Sequence, residues 1–468
     1  MRWTIARTGI WFFCMLLGSP RALAGELRIG AAAVVITPAV GAPMAGYYVP
    51  RAMEGAHDDL YAKALVLEQD GVKAALVSCD LLTLPRSVVE QARKIIETAT
   101  GIPAARVMIG ATHCHTGPLL TIGSSRDPAE GPDREKSGQY TQSLPDLIAQ
   151  AVKLADGKLE AANAFAGQGH EEHLSFNRRY FMKDGTVAWN AGKLNPNIIK
   201  PAGPIDPEVP VVYFESPDHK PLATYVNFAM HLDTVGGKQA SADYPATLAA
   251  LLGKLKGESM VTIYTTGACG DINHIDVSRR EKQQGPQEAA RIGTILAGEV
   301  LKTYARMEPV ASGALWTRSR IVKLALPDIS HEDLASARRT AVKFGKDAPT
   351  FLQRVNAFKV IDVAARDGKP LEVEVQVIAL GDDVAFVSMP GELFVELGLA
   401  IKKASPFKHT ILAELANGSI GYIPTRQAYE QGNYEPISAR CAAGSGEILV
   451  TTAIEMLEEL KLPEGRRK

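Results

Sequence analysis

The sequence predicts an α/β fold, a layered mixed sheet flanked by helices, with an antiparallel portion in the C-terminal half. Two observations predict it. Between residues 60 and 306, apolar runs of strand length alternate with helix-length runs, which is typical of layered α/β proteins. Beyond residue 306 this alternation weakens, and strand-like runs surround one helical stretch, which favours antiparallel pairing.

The first predicted unit is a β-hairpin. Apolar runs at 60–67 and 74–77 flank a Gln-Asp-Gly turn at 69–71, which is typical of two paired strands. A helical pattern follows at 87–100, and Gly101 suits its C-terminal end. The remaining elements before residue 306 are strands at 106–109, 209–214, 222–230 and 261–264, and helices at 144–155, 245–255 and 287–306.

The C-terminal portion is predicted to be antiparallel. Its strands are expected at 314–326, 371–380 and 384–388, around a helix at 332–344, with closing helices at 393–403 and 451–460. Two stretches rich in turn-forming or polar residues, 126–137 and 185–207, are expected to be long surface loops rather than linkers. Residues 25–468 are therefore expected to form one domain.

The composition excludes several classes of protein. The chain has 468 residues, of which 46% are hydrophobic and 22% charged, so it is not a disordered chain, a collagen or a coiled coil. Its formal net charge is −1, and its basic residues cluster only in the tail at 466–468. Because nucleic-acid binding needs clustered Lys and Arg to neutralise phosphates, no nucleic-acid partner is expected.

Residues 1–24 have the pattern of a cleavable signal peptide. Arg2 and Arg7 give a positive start, residues 10–17 are apolar, and Ala22 and Ala24 fit the small-residue pattern before a cleavage site. A membrane anchor is the alternative, but this apolar run is much shorter than the about 20 residues that span a bilayer. We expect cleavage after Ala24, a periplasmic or secreted product, and no transmembrane segment.

The cysteines leave the disulfide question open. Cys79, Cys114, Cys269 and Cys441 remain after that cleavage. An even number of cysteines in an oxidising compartment allows disulfides, and the sequence does not choose among the pairings.

Several predicted strands end in polar residues that can bind a metal or a ligand. In open α/β sheets, ligands bind at the carboxyl ends of the strands, so these segments are expected to converge on one site. The six segments lie at 78–80, 112–115, 231–233, 267–271, 390–392 and 417–422.

His113 and His115 form the sharpest of these segments. Residues two apart in an extended chain project to the same side, so both imidazoles can face a metal, or one can bind it while the other performs acid–base chemistry. Two ordinary histidines are the alternative. His231 is equally compatible with a place in the core, and Glu392 with a helix N-terminus.

Two longer motifs are more specific: Ala-Thr-His-Cys-His-Thr-Gly-Pro at 111–118 and Tyr-Ile-Pro-Thr-Arg-Gln-Ala-Tyr at 422–429. Shorter motifs accompany them at 30–38, 44–47, 57–64, 78–81, 177–178, 241–245, 267–273 and 390–392. In this combination and order, the motifs resemble those of the N-terminal catalytic domain of the neutral/alkaline (non-lysosomal) ceramidases, over about residues 27–460.

The resemblance implies a zinc site and a reaction. It implies that one Zn²⁺ is bound by four side chains, of which two His and one Glu also suit zinc on chemical grounds. The reaction implied is hydrolysis of an N-acyl amide bond, in ceramide or a related lipid amide, by a zinc-activated water. The ligands implied are His113, His231, Glu392 and Tyr422, and the residues around the substrate amide are His115, Arg178 and Tyr434.

Roles for the three non-ligand residues follow from the same resemblance. Arg178 and Tyr434 are expected to stabilise the oxyanion, and His115 to carry a proton toward the leaving amine.

The chain also departs from the family pattern. Asn273 stands where ceramidases have a Ser that touches substrate, so the preference between amide and ester stays open. The β-sandwich domain of full-length ceramidases is expected to be missing. Cys114 replaces a Thr of the family, and Cys114 and Cys269 either pair beneath the site or are small buried thiols. The alternative functions are a zinc-dependent esterase or lactonase for a smaller substrate, and a non-catalytic protein of this fold.

Overall fold

A computed structural model of the chain describes residues 25–121, 131–311, 313–343 and 348–462. The signal peptide predicted at 1–24 lies outside these residues, so cleavage after Ala24 stays a prediction. Among the helices of the described ranges, none combines the length and the apolar character needed to cross a membrane.

Strands and helices alternate along the chain. The strands are β1 (Arg28–Val35), β2 (Gly55–Ala56), β3 (Tyr61–Gln69), β4 (Val72–Cys79), β5 (Val107–Ala111), β6 (Glu160–Ala161), β7 (Asn163–His170), β8 (Phe176–Asn177), β9 (Arg179–Met182), β10 (Val187–Trp189), β11 (Ile198–Pro201), β12 (Glu208–Glu215), β13 (Pro221–Phe228), β14 (Gln239–Ala240), β15 (Val261–Thr266), β16 (Ile272–Asn273), β17 (Glu308–Pro309), β18 (Leu315–Leu324), β19 (Leu371–Leu380), β20 (Val384–Ser388), β21 (Glu392–Leu393), β22 (His409–Ala413) and β23 (Tyr422–Ile423). The α-helices are α1 (Arg86–Thr100), α2 (Gly131–Asp156), α3 (Tyr244–Lys256), α4 (Pro286–Tyr304), α5 (His331–Ala341), α6 (Phe351–Ala364), α7 (Val395–Ala404), α8 (Arg426–Gln431), α9 (Tyr434–Ser438) and α10 (Ser445–Lys461).

Three larger sheets form the framework of the described residues. Their strand orders are β5-β4-β3-β1-β6, β15-β13-β12-β7-β17 and β18-β19-β20-β22. Most neighbouring strands are antiparallel, but each sheet has one parallel pair at an edge: β4 with β5, β13 with β15, and β20 with β22. The predicted mixed α/β class is confirmed, although the antiparallel pairing is not confined to the C-terminal half.

The three parallel edges are joined to one another. The Ser78 hydroxyl of β4 donates a hydrogen bond of 2.5 Å to the Tyr264 carbonyl of β15. The Asn227 amide of β13 donates one of 2.7 Å to the Leu412 carbonyl of β22. Because the parallel edges meet in this way, the loops after their six strands are brought into one central region.

The helices cover the outer faces of the sheets, and α1 illustrates why they form. Val88, Val89, Ala92 and Ile96 recur at helical spacing and are buried, so α1 has one apolar face. Gly101 then ends the helix with a φ of 73°, a left-handed conformation that suits glycine. The helix predicted at 87–100 is therefore confirmed.

The prediction of a loop at 126–137 is wrong from residue 131 onward. Helix α2 begins at Gly131 and continues through Pro145, where the sequence pattern placed a helix start. The polar first turns are helical because they are tied to the body of the protein: the Tyr140 hydroxyl donates to the Ile36 carbonyl at 2.6 Å. Residues 122–130 lie outside the described part of the chain.

The prediction of one long loop at 185–207 also needs correction. The short strands β10 and β11 lie in this stretch and pair with β9. They are too short to show a periodic pattern in the sequence.

Helix α6 was not predicted at all, although its capping box was visible in the sequence. The Thr350 hydroxyl accepts from the Gln353 backbone N–H, and the Gln353 side chain accepts from the Thr350 backbone N–H.

Candidate metal centre

His113 leaves strand β5 in a strained backbone conformation. Its φ is +74°, a left-handed value that costs a non-glycine residue about 1–3 kcal/mol. Its Nδ1 lies 2.9 Å from the Leu82 carbonyl oxygen. Because a carbonyl only accepts, Nδ1 carries the hydrogen, and Nε2 is left with its lone pair free to bind a metal.

His231 is oriented in the same way. It follows strand β13, and its Nδ1 donates a hydrogen bond of 2.8 Å to the Cys269 carbonyl. The ring is buried, and Nε2 has no hydrogen-bond partner. A second imidazole nitrogen therefore points its lone pair into the interior.

Glu392 lies between these two imidazoles. Its Oε2 is 3.5 Å from His113 Nε2 and 3.4 Å from His231 Nε2, and it is buried without a hydrogen-bond partner. Burial alone would raise the pKa of this carboxyl group, but His113 and His231 hold it well below its usual range. The side chain is therefore a carboxylate.

Tyr422 is placed beside Glu392 by the pairing of β21 with β23, in which the two residues are register partners. Its hydroxyl oxygen accepts a hydrogen bond of 3.1 Å from Arg178 Nη2. Burial and the Glu392 carboxylate raise the pKa of the phenol, and the Arg178 guanidinium acts in the opposite direction. We call the four residues that the sequence predicts as metal ligands, His113, His231, Glu392 and Tyr422, the metal centre.

The metal centre fits a zinc ion. Imidazole nitrogens and a carboxylate oxygen are ordinary zinc ligands. A buried polar atom without a partner costs about 1–3 kcal/mol, and one cation would satisfy both His231 Nε2 and Glu392 Oε2. The nearest ring nitrogens of His113, His115 and His231 also lie within 4.8 Å of one another, so this group of histidines can hold a metal ion.

His115 lies at the edge of the metal centre and is partly exposed. Its Nε2 is 3.3 Å from His113 Nε2, and burial lowers its pKa to about 3, so the ring is neutral at physiological pH. Its backbone is fixed on both sides, because its N–H donates to the Leu232 carbonyl and its carbonyl accepts from Arg51.

Arg178 belongs to a buried ionic group beside the metal centre. Its Nε donates to Glu435 Oε1 at 2.9 Å, and Arg179 Nη1 donates to Glu435 Oε2 at the same distance. Arg178 Nη2 also donates to the Gly270 carbonyl at 2.8 Å. We call Arg178, Arg179 and Glu435 the guanidinium cluster, and it holds the Arg178 side chain in one position.

Tyr434 begins helix α9 and lies beside Tyr422. Its ring centroid lies 5.3 Å from that of Tyr422 and 4.4 Å from that of Trp189. Phe351 stacks on Trp189 and also contacts Tyr434. An aromatic surface formed by Trp189, Phe351 and Tyr434 therefore borders the metal centre.

The structure brings together all seven residues predicted for the site, and their roles stay predictions. The prediction that an extended chain places His113 and His115 on the same side is wrong, since β5 ends at Ala111 and both residues lie in the following loop. The left-handed His113 and the bridge between Cys114 and Leu232 turn the two rings toward each other, with centroids 4.8 Å apart.

The cysteine alternatives are resolved as well. Cys79, Cys114, Cys269 and Cys441 are all free and buried. Cys114 and Cys269 are therefore separate buried thiols rather than a disulfide.

Sequence reasoning missed three polar residues near the site: Glu435, Glu414 and His274. All three are buried, and His274 Nδ1 lies 3.0 Å from Oδ1 of Asp233, which belongs to the predicted segment 231–233. Glu414 directly follows the apolar strand β22, so an acidic residue at the end of an apolar run was the available signal for it.

Two solved structures share this architecture. The crystal structure of neutral ceramidase from Pseudomonas aeruginosa matches with a TM-score of 0.73 and 18% identity, covering 93% of this chain and 74% of that one. A ceramidase complexed with C2 matches with a TM-score of 0.71 and 17% identity, covering 93% of this chain and 75% of that one. No protein-family model and no curated protein matches the chain. The chain has a neutral ceramidase-like fold.

Proposed function

We propose that the protein is an exported, zinc-dependent amidohydrolase that cleaves the N-acyl amide bond of ceramide or a related lipid amide. The observation that carries the proposal is a pair of buried atoms that can bind a metal and have no hydrogen-bond partner, His231 Nε2 and Glu392 Oε2, inside a ceramidase-like fold.

In this proposal His113, His231, Glu392 and Tyr422 hold one Zn²⁺. A zinc ion with an open coordination position lowers the pKa of water from about 15.7 to about 7, which is the chemistry that amide hydrolysis requires at neutral pH. Leu82 and Cys269 accept from the Nδ1 atoms, so the two imidazoles are already oriented before a metal arrives.

Arg178 and Tyr434 stabilise the oxygen of the substrate carbonyl. Arg178 Nε and Nη2 donate to Glu435, Gly270 and Tyr422, so Nη1 is the nitrogen left to donate to that oxygen. One such donor is typically worth about 2.7–4 kcal/mol of transition-state stabilisation.

His115 transfers the proton. Its neutral ring accepts a proton from the attacking water and delivers it to the nitrogen of the leaving amine. Its position 3.3 Å from a metal ligand, on the partly exposed side of the site, supports this role.

The aromatic surface favours an apolar substrate. Trp189, Phe351 and Tyr434 pack against one another, and Tyr434 is itself one of the proposed oxyanion donors, so these rings lie beside the proposed reaction site. Burial of the hydrocarbon part of a lipid amide there contributes about 25 cal/mol for each Å² removed from water.

An ester or lactone of a smaller molecule is the second candidate, and Asn273 favours it. Its side-chain nitrogen donates to Asn190 Oδ1 at 3.1 Å, and its oxygen accepts from the Ile275 N–H at 3.0 Å. Both ends of the side chain are engaged within the protein, so it offers little to a substrate at the position where ceramidases have a Ser.

The test is a metal analysis of the purified protein and a hydrolysis screen. Fluorogenic ceramides, other N-acyl amides and simple esters are assayed with and without a zinc chelator. We expect one zinc per chain, amide hydrolysis, and loss of activity on chelation that zinc restores. Turnover of esters alone would favour the second candidate, and chelator-resistant activity would contradict the zinc mechanism.

Export is tested separately. Expression of the full chain should give a periplasmic or secreted product whose N-terminal residue is Gly25. A cytoplasmic product that retains residues 1–24 would contradict it.

A further inference from the structure

Glu414 is a buried acidic side chain outside the metal centre. It directly follows strand β22 and is only 1% exposed. Its backbone N–H donates to the Thr266 carbonyl at 3.0 Å, so the end of β22 is fixed against the end of β15. The side chain therefore has a defined position between the loops that leave the neighbouring strands.

The Glu414 side chain accepts hydrogen bonds from two different loops. Oε2 accepts from the Cys269 backbone N–H at 3.1 Å and from the Leu393 backbone N–H at 3.0 Å. Oε1 accepts from the Cys269 thiol, with 3.0 Å between sulfur and oxygen. One side chain thus ties the loop at 269 to the loop at 393.

Both loops carry or orient a residue of the metal centre. The Cys269 carbonyl accepts from His231 Nδ1 and thereby sets the direction of Nε2. Leu393 directly follows Glu392, so its N–H belongs to the peptide group that joins it to this ligand. A displacement of either loop would separate His231 Nε2 from Glu392 Oε2, which now lie 3.4 Å apart.

We propose that Glu414 is a positioning residue that sets the spacing of His231 and Glu392 through Cys269 and Leu393. The inference rests on the proposed zinc function. Outer-shell groups of this kind typically change metal affinity by about 10–100-fold when they are removed.

A matched control exists in the third sheet. Glu374 of β19 is also a buried glutamate, 5% exposed, and it accepts from Arg93 Nη1 at 2.7 Å and from the Ser319 hydroxyl at 2.6 Å. Its partners belong to α1 and β18 rather than to a loop of the metal centre. Glu414→Gln and Glu374→Gln therefore make the same substitution in two buried places, one facing the metal centre and one remote from it.

The experiment measures zinc affinity of the full chain by competition with a chelator, after removal of bound metal. Glu414→Gln should weaken zinc binding by about 10-fold or more, whereas Glu374→Gln should leave it within about two-fold of wild type. The absorption spectrum of the Co²⁺-loaded protein should change for Glu414→Gln alone, because it reports ligand geometry rather than stability.

Cys269→Ala is the second variant, for the case in which Glu414→Gln does not fold. It removes one of the three donors to Glu414 and should weaken zinc binding to a smaller extent. Unchanged affinity and an unchanged Co²⁺ spectrum in the folded variants would overturn the role of Glu414, as would equal weakening by Glu374→Gln. Wild-type protein that binds no zinc would instead overturn the proposed function.

Discussion

Two adjacent parts of the buried interior differ in how their polar atoms are satisfied. In the metal centre, His231 Nε2 and Glu392 Oε2 have no hydrogen-bond partner. In the guanidinium cluster, both oxygens of Glu435 accept bonds of 2.9 Å, one from Arg178 and one from Arg179. A cation between the first two atoms would satisfy both of them, whereas the Glu435 carboxylate is already paired with two guanidinium groups. In the proposed function, the first group binds the metal and the second supports Arg178. The two groups meet at the hydrogen bond between Arg178 and Tyr422.

The largest effect is expected when a proposed ligand is removed from the metal centre. His231→Ala eliminates one ligand, so zinc affinity should fall by more than the about 100-fold reached by outer-shell changes, and hydrolysis should fall to background. Chelator competition and the amide assay measure both effects. His173→Ala, at a side chain that is 84% exposed, should match wild type. Retention of zinc and activity by His231→Ala would contradict the ligand assignment.

Removing the charge of Glu435 tests the role of the guanidinium cluster. Glu435→Gln leaves two buried guanidinium groups without their carboxylate, which should lower the free energy of unfolding by about 3–5 kcal/mol. Denaturant unfolding of the metal-free protein measures this change. The control is Glu90→Gln, since Glu90 pairs with Arg86 at the surface, where an ion pair contributes about 0–1 kcal/mol. Equal effects of the two substitutions would show that the guanidinium cluster is not a support.

Tyr434 lies beside Tyr422 of the metal centre but belongs to neither group, and Tyr434→Phe removes only its hydroxyl. Tyr434→Phe should reduce kcat by about 10²–10³-fold and leave zinc affinity unchanged, because the hydroxyl is proposed to stabilise only the oxyanion. Steady-state kinetics and chelator competition separate the two effects. A loss of zinc without a loss of turnover per bound zinc would assign Tyr434 to the metal centre instead.

Acid should affect the metal centre through its histidines. Burial lowers the pKa of His113 to about 4, whereas an exposed histidine in the unfolded chain has a pKa of about 6.5. Between these values the unfolded state binds a proton that the folded state does not, so stability of the metal-free protein should fall as the pH drops through this window. The slope from His113 is about 1.4 kcal/mol for each pH unit.

The matched variant for this measurement is His113→Asn, since Asn tolerates a positive φ better than most residues. Thermal unfolding from pH 7 to pH 4 should show a shallower loss of stability than wild type, whereas His173→Gln should follow wild type. An unchanged slope in His113→Asn would show that the His113 imidazole is not buried in the folded protein.

Much of the fold could be predicted because it depends on local patterns. The sequence predicted strand ends at 78–80 and 267–271, because apolar runs stop there at polar residues. Strand β4 ends at Cys79 and strand β15 ends at Thr266, in agreement with that prediction. Helix α2 was underestimated because its polar first turns are held by a tertiary contact of Tyr140, which no local pattern contains. Short strands such as β10 depend in the same way on a partner strand.

The site residues were identified mainly from the order of the motifs along the chain, and less from the physical properties of the individual residues. Nothing in the neighbourhood of Tyr422 or Tyr434 predicts a buried polar role, because tyrosine is common in cores. Glu414 was missed since its partners, Cys269 and Leu393, are distant in the sequence. A contact of that kind becomes visible only when the three parallel edges are assembled.

The distribution of the four proposed metal ligands along the polypeptide has a consequence for biosynthesis. His113 and His231 follow strands β5 and β13 of two different sheets, and Glu392 and Tyr422 lie in the two-stranded sheet of β21 and β23, so Tyr422 is the last of the four along the chain. A nascent chain that has not yet extended past this tyrosine holds at most three of them, so the complete set of proposed ligands exists only after residue 422 has been made. If the proposed zinc site is correct, a product truncated before Tyr422 would bind zinc more weakly than the full chain.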